Sequence, residues 1–264
     1  MIGFIGLGNM ATAIIGGMLQ KGIVGADEII GSDKFEPSVE KVKTKFNISA
    51  TTNNKEVVEK ADVLFLAVKP AFFPEVIGEI KSIIKKDTLI ISIAAGKTID
   101  YIQNEFGNNE LKIVRCMPNV AALVQEACTG VCANQNVTEA ELQKALELIS
   151  AFGRASVVPE HLMDVVVGVS GSSPAYVFMF IEAMADAAVA AGMPRAQSYE
   201  FAAQAVLGSA KLLLETGKHP GELKDMVCSP GGTTIQAVKV LEEKGMRAAV
   251  MDAMEACIEK SKSL

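Results

Sequence analysis

Phe4-Ile5-Gly6-Leu7-Gly8-Asn9-Met10-Ala11 decides how this chain folds. Residues 1–5 are a short apolar run that fits a buried parallel strand, and Ala13, Ile14, Met18 and Leu19 recur afterwards at helical spacing. The stretch is therefore G-x-G-x-x-A set between a strand and a helix. Gly6 suits the tight turn, Gly8 lets the backbone approach a pyrophosphate, and small Ala11 lets helix and strand pack closely. The unpaired N–H groups and partial positive charge of the helix start then favour a phosphate. The turn reads as a dinucleotide site.

Working outward, residues 28–32 make a second strand that ends at Ser32-Asp33-Lys34. Asp33 suits a ribose 2′-OH, as in NAD, whereas Ser32 and Lys34 suit a 2′-phosphate, as in NADP. Both readings stay open, beside that of a plain solvated loop. Helices follow at 37–46 and after Asn53-Asn54-Lys55-Glu56, then a strand over 61–68 that stops at Lys69-Pro70. A helix over 72–84, a strand over 88–93 closed by Ala94-Ala95-Gly96, a helix over 99–106 and a strand over 112–116 continue the alternation. Residues 129–133, a helix over 138–151 opened by the capping box Thr138-Glu139-Ala140-Glu141, and residues 155–158 complete it. Such alternation predicts an α/β domain with a mostly parallel, doubly wound sheet of Rossmann type. Ligands in these sheets sit beyond the carboxyl ends of the strands. That rule nominates residues 6–10, 32–34, 67–70 and 93–95, joined by Asn54.

Beyond Pro159 the chain becomes Ala-, Met- and Leu-rich helix, so the reading is a sheet domain over 1–159 and an all-α domain over 160–264. Ser173 and Pro174 are expected as N-cap and first residue of a long helix that ends at Gly192-Met193-Pro194. A helical piece of this size, with Ala and Gly on its apolar faces, is expected to complete its core against a second copy, giving a homodimer. A self-sufficient bundle is the alternative. Near the end stands Ser229-Pro230-Gly231-Gly232-Thr233-Thr234, followed by apolar residues at 235, 238 and 241. Its two glycines permit a tight approach to a ligand, and its helix start suits a small carboxylate. The bland alternative is a glycine turn with Thr233 or Thr234 as N-cap.

Composition narrows the remaining classes. Of 264 residues, 50% are hydrophobic and 21% charged, which is a globular balance. The net charge of −6 with unclustered Lys and Arg argues against nucleic acid. The apolar tract 176–193 is interrupted by Glu182 and Asp186 on one helix face, which argues against a membrane span. Five cysteines without a CxxC pair and two histidines make a poor metal site, so no metal is expected. The thiols read as reduced and mostly buried in a cytoplasmic protein, and no export signal is read at the amino terminus.

With these pieces placed, the chain resembles the pyrroline-5-carboxylate reductases over essentially its whole length. The resemblance rests on residues 4–10, Ala67-Val68-Lys69-Pro70, Met117-Pro118-Asn119, Gly171-Ser172-Ser173-Pro174-Ala175-Tyr176, and above all Leu223-Lys224-Asp225-Met226-Val227-Cys228 running into Ser229-Pro230-Gly231-Gly232-Thr233-Thr234. It implies reduction of the ring C=N of 1-pyrroline-5-carboxylate to L-proline by NADPH, with NADH as the other option. It also implies interleaved helical domains, in some members assembled into larger rings of dimers. By position the family's cofactor contacts fall on Ile5, Gly6, Leu7, Gly8, Asn9 and Met10; on Ser32 and Asn54; on Ala67, Val68, Lys69 and Pro70; and on Ile93, Ala94 and Ala95. Its substrate contacts fall on Glu160, Met226, Thr233 and Thr234, with Ser229 and Gly231 in the same turn. Ser32-Asp33-Lys34 lacks the Asn-Arg pair that many members carry there, which leaves the cofactor preference open.

The residue chemistry agrees. A cyclic imine needs a hydride at carbon and a proton at nitrogen, and an iminium already carries that proton. A hydroxyl beside the ring nitrogen then suffices, and we assign it to Thr234, with the N–H groups of Gly232, Thr233 and Thr234 on the carboxylate. His161 and His219 read as surface or capping residues, Cys228 and Tyr176 as packing, and Arg115 and Arg154 as structural ion pairs. Two other readings compete with this one. A 3-hydroxyacid dehydrogenase would need a lysine in its glycine-rich helix start, and 168–176 contains none. A cofactor-binding sensor would leave the threonine turn without a purpose.

Overall fold

The computed structural model describes residues 1–263. They form two compact units, Met1–Ser172 together with the chain from Ile258 onward, and Ser173–Cys257. The division falls later than the 159/160 boundary read from the sequence. The reason is local: Met163 and Val166 pack against Gly130 of the sheet and keep the intervening segment in the first unit.

The first unit is built on one sheet. Strands β1 (Ile2–Ile5), β2 (Ile29–Ser32), β3 (Ser49–Thr51), β4 (Val63–Leu66), β5 (Leu89–Ser92), β6 (Lys112–Met117), β7 (Ala127–Ala133) and β8 (Gly153–Val157) join in the order β3-β2-β1-β4-β5-β6-β7-β8. All neighbours are parallel except β6 and β7. The chain winds outward from β1 through β2 to β3, then returns to the other side of β1 as β4. That reversal opens a crevice at the carboxyl ends of β1 and β4.

Both faces of the sheet are covered, which explains the unbroken apolar strands. Phe4 and Phe65, paired across β1 and β4 with stacked rings 4.6 Å apart, face Ile14 and Met18 of α1 (Asn9–Gln20) and Val39 of α2 (Glu36–Phe46). Leu148 of α6 (Glu139–Ser150) completes that layer. Ile5, Leu64 and Leu66 point the other way, toward Val57 of α3 (Asn54–Lys60), Ile77 of α4 (Phe73–Ile80) and Ile102 of α5 (Ile99–Phe106). Each such fully buried side chain contributes roughly 1.5–3 kcal/mol.

Three local expectations need correction. β3 was not foreseen, because three half-exposed residues carry no apolar run. α4 stops at Ile80, where the chain tightens into turns that bring the amides of Ile83 and Ile84 back to its carbonyl. Ser173 does not cap a helix emerging from a loop. The chain is already helical in α7 (Met163–Val166) and passes through a π-turn, Val167–Gly171, into α8 (Ser173–Ala190). The Ser172 amide donates to the Val167 carbonyl at 2.8 Å, and the Asn119 side chain donates to the Ser170 carbonyl at 2.9 Å.

The second unit contains α8, α9 (Arg195–Thr216), α10 (Pro220–Val227), α11 (Thr233–Glu243) and the first part of α12 (Met246–Lys262). α8 and α9 pack together through Ala185, Ser198 and Ala202, all buried. Large apolar side chains elsewhere on these helices stay open, Phe178, Met179, Phe201 and Leu214 each by more than half. The helical run Glu160–Ala190 is long and apolar enough, by length and composition alone, to cross a membrane. The five cysteines are free, but only Cys116 and Cys132 are buried, and Cys128, near the start of β7, is exposed. The expectation of mostly buried thiols holds for the strand pair alone.

Candidate active site

The carboxyl ends of β1, β2 and β4 converge on Gly6. Its amide donates to the Ser32 carbonyl at 2.8 Å, and the Ala67 amide donates to the Ile5 carbonyl at 2.8 Å. Gly6 has φ +94°, and a Cβ there would lie 2.7 Å from the Ala67 carbonyl oxygen. No other residue fits that turn. Gly8 is the N-cap of α1, which has no side-chain cap and no acid in its first turn. A Cβ on Gly8 would meet nothing within 4 Å. The glycine thus keeps open the space directly before an electropositive helix start, which fits a pyrophosphate cradle.

A cavity of about 330 Å³ lies over this turn. Ile5, Gly6 and Gly8 line it from β1, and Ala67, Val68 and Lys69 line it from the end of β4. Asp33 and Lys34 close one side, with Asn54 behind them. Leu7 is buried with its side chain on Gly31, Asn9 is exposed, and Met10 is half-buried against the core. Pro70 begins a short turn, Pro70–Phe72, and Ile93, Ala94 and Ala95 lie at the end of β5 outside the cavity lining.

The residues just past β2 do more structural work than the sequence suggests. Ser32 is fully buried, and its hydroxyl donates to Asn54 Oδ1 at 2.7 Å, so it holds Asn54 rather than facing a phosphate. Asn54 in turn donates to Glu79 at 2.7 Å. The Asp33 carboxylate accepts the Leu7 amide at 2.8 Å and the Phe35 amide at 2.9 Å. Lys34 is ion-paired with Glu75 and lies 3.7 Å from Glu79, and these partners raise its pKa, the Glu75 hydrogen bond most. Lys69 lines the same cavity without an ion-pair partner among the described residues. Sequence reasoning missed Phe35, Phe72 and Glu75. The exposed rings of Phe35, directly after Asp33-Lys34, and of Phe72, three residues after Lys69, were the available signal. Glu75 gave none, because an acid in the first turn of a helix is ordinary.

In the helical unit, Met226 near the end of α10 and Thr233 and Thr234 at the start of α11 are joined by a tight turn. The Gly232 amide donates to the Ser229 carbonyl at 3.0 Å, Gly231 has φ +70°, and a Cβ on Gly232 would lie 2.4 Å from the Ser229 hydroxyl. The N-cap is Gly232, not a threonine, and α11 has neither a side-chain cap nor an acid in its first turn. Two consequences follow. The Gly232 amide is committed to the turn and is not free for a carboxylate, and the amides of Thr233 and Thr234 are left as helix-start donors. By contrast, Asn53, Thr98, Thr138 and His219 cap α3, α5, α6 and α10 with side chains.

Glu160 belongs to the sheet unit, where it serves the framework. Its Oε1 accepts from the Ile99 amide at 2.8 Å and from the buried Arg115 guanidinium at 3.0 Å. Arg115 is thereby a structural ion pair, as expected. His161 is exposed, and His219 caps α10 through Nδ1. Among the described residues no group of His, Cys, Asp and Glu could hold a metal.

Comparison with known proteins gives these features a context. Residues 160–264 match the family model for pyrroline-5-carboxylate reductase dimerisation, and residues 1–96 match that for NADP oxidoreductase, coenzyme F420-dependent. The chain is 55% identical, over all of its length and 97% of the relative's, to the pyrroline-5-carboxylate reductase of Escherichia coli K12. Among solved structures it resembles a pyrroline-5-carboxylate reductase from Coxiella burnetii, with TM-score 0.94 and 35% identity over 99% of this chain and 97% of that one. The Plasmodium falciparum enzyme with NADP bound gives TM-score 0.88 and 31% identity over the same shares.

Proposed function

The chain belongs to the pyrroline-5-carboxylate reductase family, and from that premise we propose how its own residues carry out the reaction. The protein is an NAD(P)H-dependent oxidoreductase that reduces 1-pyrroline-5-carboxylate to L-proline, the last step of proline biosynthesis. NADPH is the cofactor, and the same turn is compatible with NADH.

Gly6, Gly8 and the start of α1 hold the pyrophosphate, with Ala67, Val68 and Lys69 along the other wall. Phe35 and Phe72 offer flat apolar surfaces that suit a purine ring. A nicotinamide held there would supply the hydride. On the substrate side, the Thr233 and Thr234 amides bind the carboxylate and the Thr234 hydroxyl hydrogen-bonds the ring nitrogen. Binding as the iminium brings the proton with the substrate, so the protein's contribution is orientation. Met226, Ser229 and Gly231 shape this turn.

The observation that carries this reading is the α11 start: a glycine N-cap, with no side-chain cap and no acid, in the stretch most specific to the family. Oxidation of NADPH on addition of pyrroline-5-carboxylate tests it. Absorbance at the nicotinamide band that does not fall above the substrate-free rate would overturn it.

The family's dimerisation domain makes this an oligomer-forming chain. We propose a homodimer whose interface covers the exposed apolar residues of α8 and α9, and in which the Glu160–Ala190 run is an interface helix rather than a membrane span. Assembly into a ring of dimers is part of the same proposal. A cytoplasmic location accords with five free cysteines.

A further inference from the structure

We propose that Glu75 sets how strongly this site accepts a 2′-phosphorylated nucleotide, by occupying the lysine that would otherwise bind the phosphate. The inference rests on the dinucleotide reading of the cavity.

In this fold the residues just past the second strand meet the ribose 2′ position. Here they are Asp33 and Lys34, and both line the cavity. Asp33 is held by two backbone amides and presents a fixed negative charge. Lys34 faces Glu75 and Glu79, one helical turn apart on α4, while Lys69, the other lysine lining the cavity, stands just past β4. A phosphate dianion entering there meets three carboxylates and an ammonium that is already engaged. Binding the phosphate through Lys34 therefore requires displacing a carboxylate, and the displaced carboxylate stays nearby and repels it.

The two glutamates are not equivalent. Glu79 also accepts from Asn54, which accepts from Ser32, so its charge is tied into the support of the β2 end. Glu75 lines the cavity itself, and Lys34 is the one partner the structure gives it among the described residues. Its side chain is 53% exposed, so the pair can exchange for a ligand without unpacking the core. The raised pKa of Lys34, whose largest cause is the hydrogen bond to Glu75, agrees with an ammonium held by this carboxylate.

The test compares binding of adenosine 2′,5′-bisphosphate and 5′-AMP to the purified full chain by isothermal titration calorimetry. Glu75→Gln is expected to raise the affinity ratio of bisphosphate to 5′-AMP by about two- to five-fold, the scale of one partly exposed ion pair. Adding Lys34→Met to Glu75→Gln should abolish that gain, and the NADPH-to-NADH ratio of kcat/KM should follow the same order. A ratio that stays within about two-fold of wild type, or a gain that survives Lys34→Met, overturns the inference while 5′-AMP binding still supports the dinucleotide site. Failure of the wild-type protein to bind either nucleotide would remove both readings together.

Discussion

The Asp33 carboxylate accepts the backbone N–H of Leu7 at 2.8 Å, so the loop that ends β2 holds the glycine turn that ends β1. Asp33→Ala removes this bond and the one from the Phe35 amide. It should lower stability by about 1–2 kcal/mol in urea unfolding, since both bonds are charge-assisted, the Leu7 one part-buried and the Phe35 one exposed. Nucleotide affinity should fall for 5′-AMP and its 2′-phosphate alike. A residue that only met the ribose would leave the unfolding midpoint where it was.

Gly6 and Gly8 separate folding from binding. Gly6→Ala drives a Cβ to 2.7 Å from the Ala67 carbonyl at φ +94°, and should cost about 2 kcal/mol or more. Gly8→Ala meets nothing within 4 Å, so it should cost no more than about 1 kcal/mol, the scale of replacing an N-cap glycine and well short of Gly6→Ala. Its methyl nevertheless fills the space before α1, and nucleotide affinity should drop by about ten-fold or more. Calorimetry and binding on the two variants check the contrast.

Thr234→Ala should reduce kcat by about 10²-fold through loss of one aligned hydrogen bond at the ring nitrogen. Thr234→Ser keeps the hydroxyl and should recover most of the rate. Wild-type turnover in the alanine variant, measured in steady state, removes this hydroxyl from the mechanism.

Glu160→Gln strands the Arg115 guanidinium, whose side chain is 6% exposed. The expected loss is about 2–3 kcal/mol, below the fully buried range because Glu160 itself is partly open. Replacing both partners with Arg115→Met and Glu160→Leu should restore part of that loss. Chemical denaturation of the single and double variants measures it.

Burial pushes the thiols of Cys116 and Cys132 up, Cys132 to about 12 from an ordinary value of 9.0. Folding favours the protonated thiols, so their contribution is complete below about pH 9 and is lost as pH rises toward 12. Unfolding free energy should therefore decline over that window, and Cys132→Ala should flatten the decline. Iodoacetamide should modify exposed Cys128 in the native protein while sparing the two buried thiols.

The order of strands and helices was legible because it is local. Apolar runs such as 61–68, the glycine turn and the Thr138 capping box each declare themselves within a few residues. β3 was not legible, since Ser49, Ala50 and Thr51 form a strand only because β2 lies beside them. The π-turn was missed for a related reason: its glycines and serines read as a loop until the Asn119 side chain is seen fixing the Ser170 carbonyl. At the site, the Gly6 and Gly8 turn was legible from the glycines alone, but the N-cap at Gly232 and the partners of Ser32, Asp33, Lys34 and Glu160 were not.

The sheet domain with its glycine turn, the helical remainder, and the family that both belong to follow from runs of neighbouring residues. Those rest on spacing, on where a Cβ is absent, and on a motif of consecutive residues. Which polar groups are free is set by the folded chain. Asp33 is spent on the Leu7 amide, Ser32 on Asn54, Lys34 on Glu75, Glu160 on Arg115, and the Gly232 amide on Ser229. Most of these pairs join residues far apart in the chain, and a polar group's availability depends on the partner that folding brings to it.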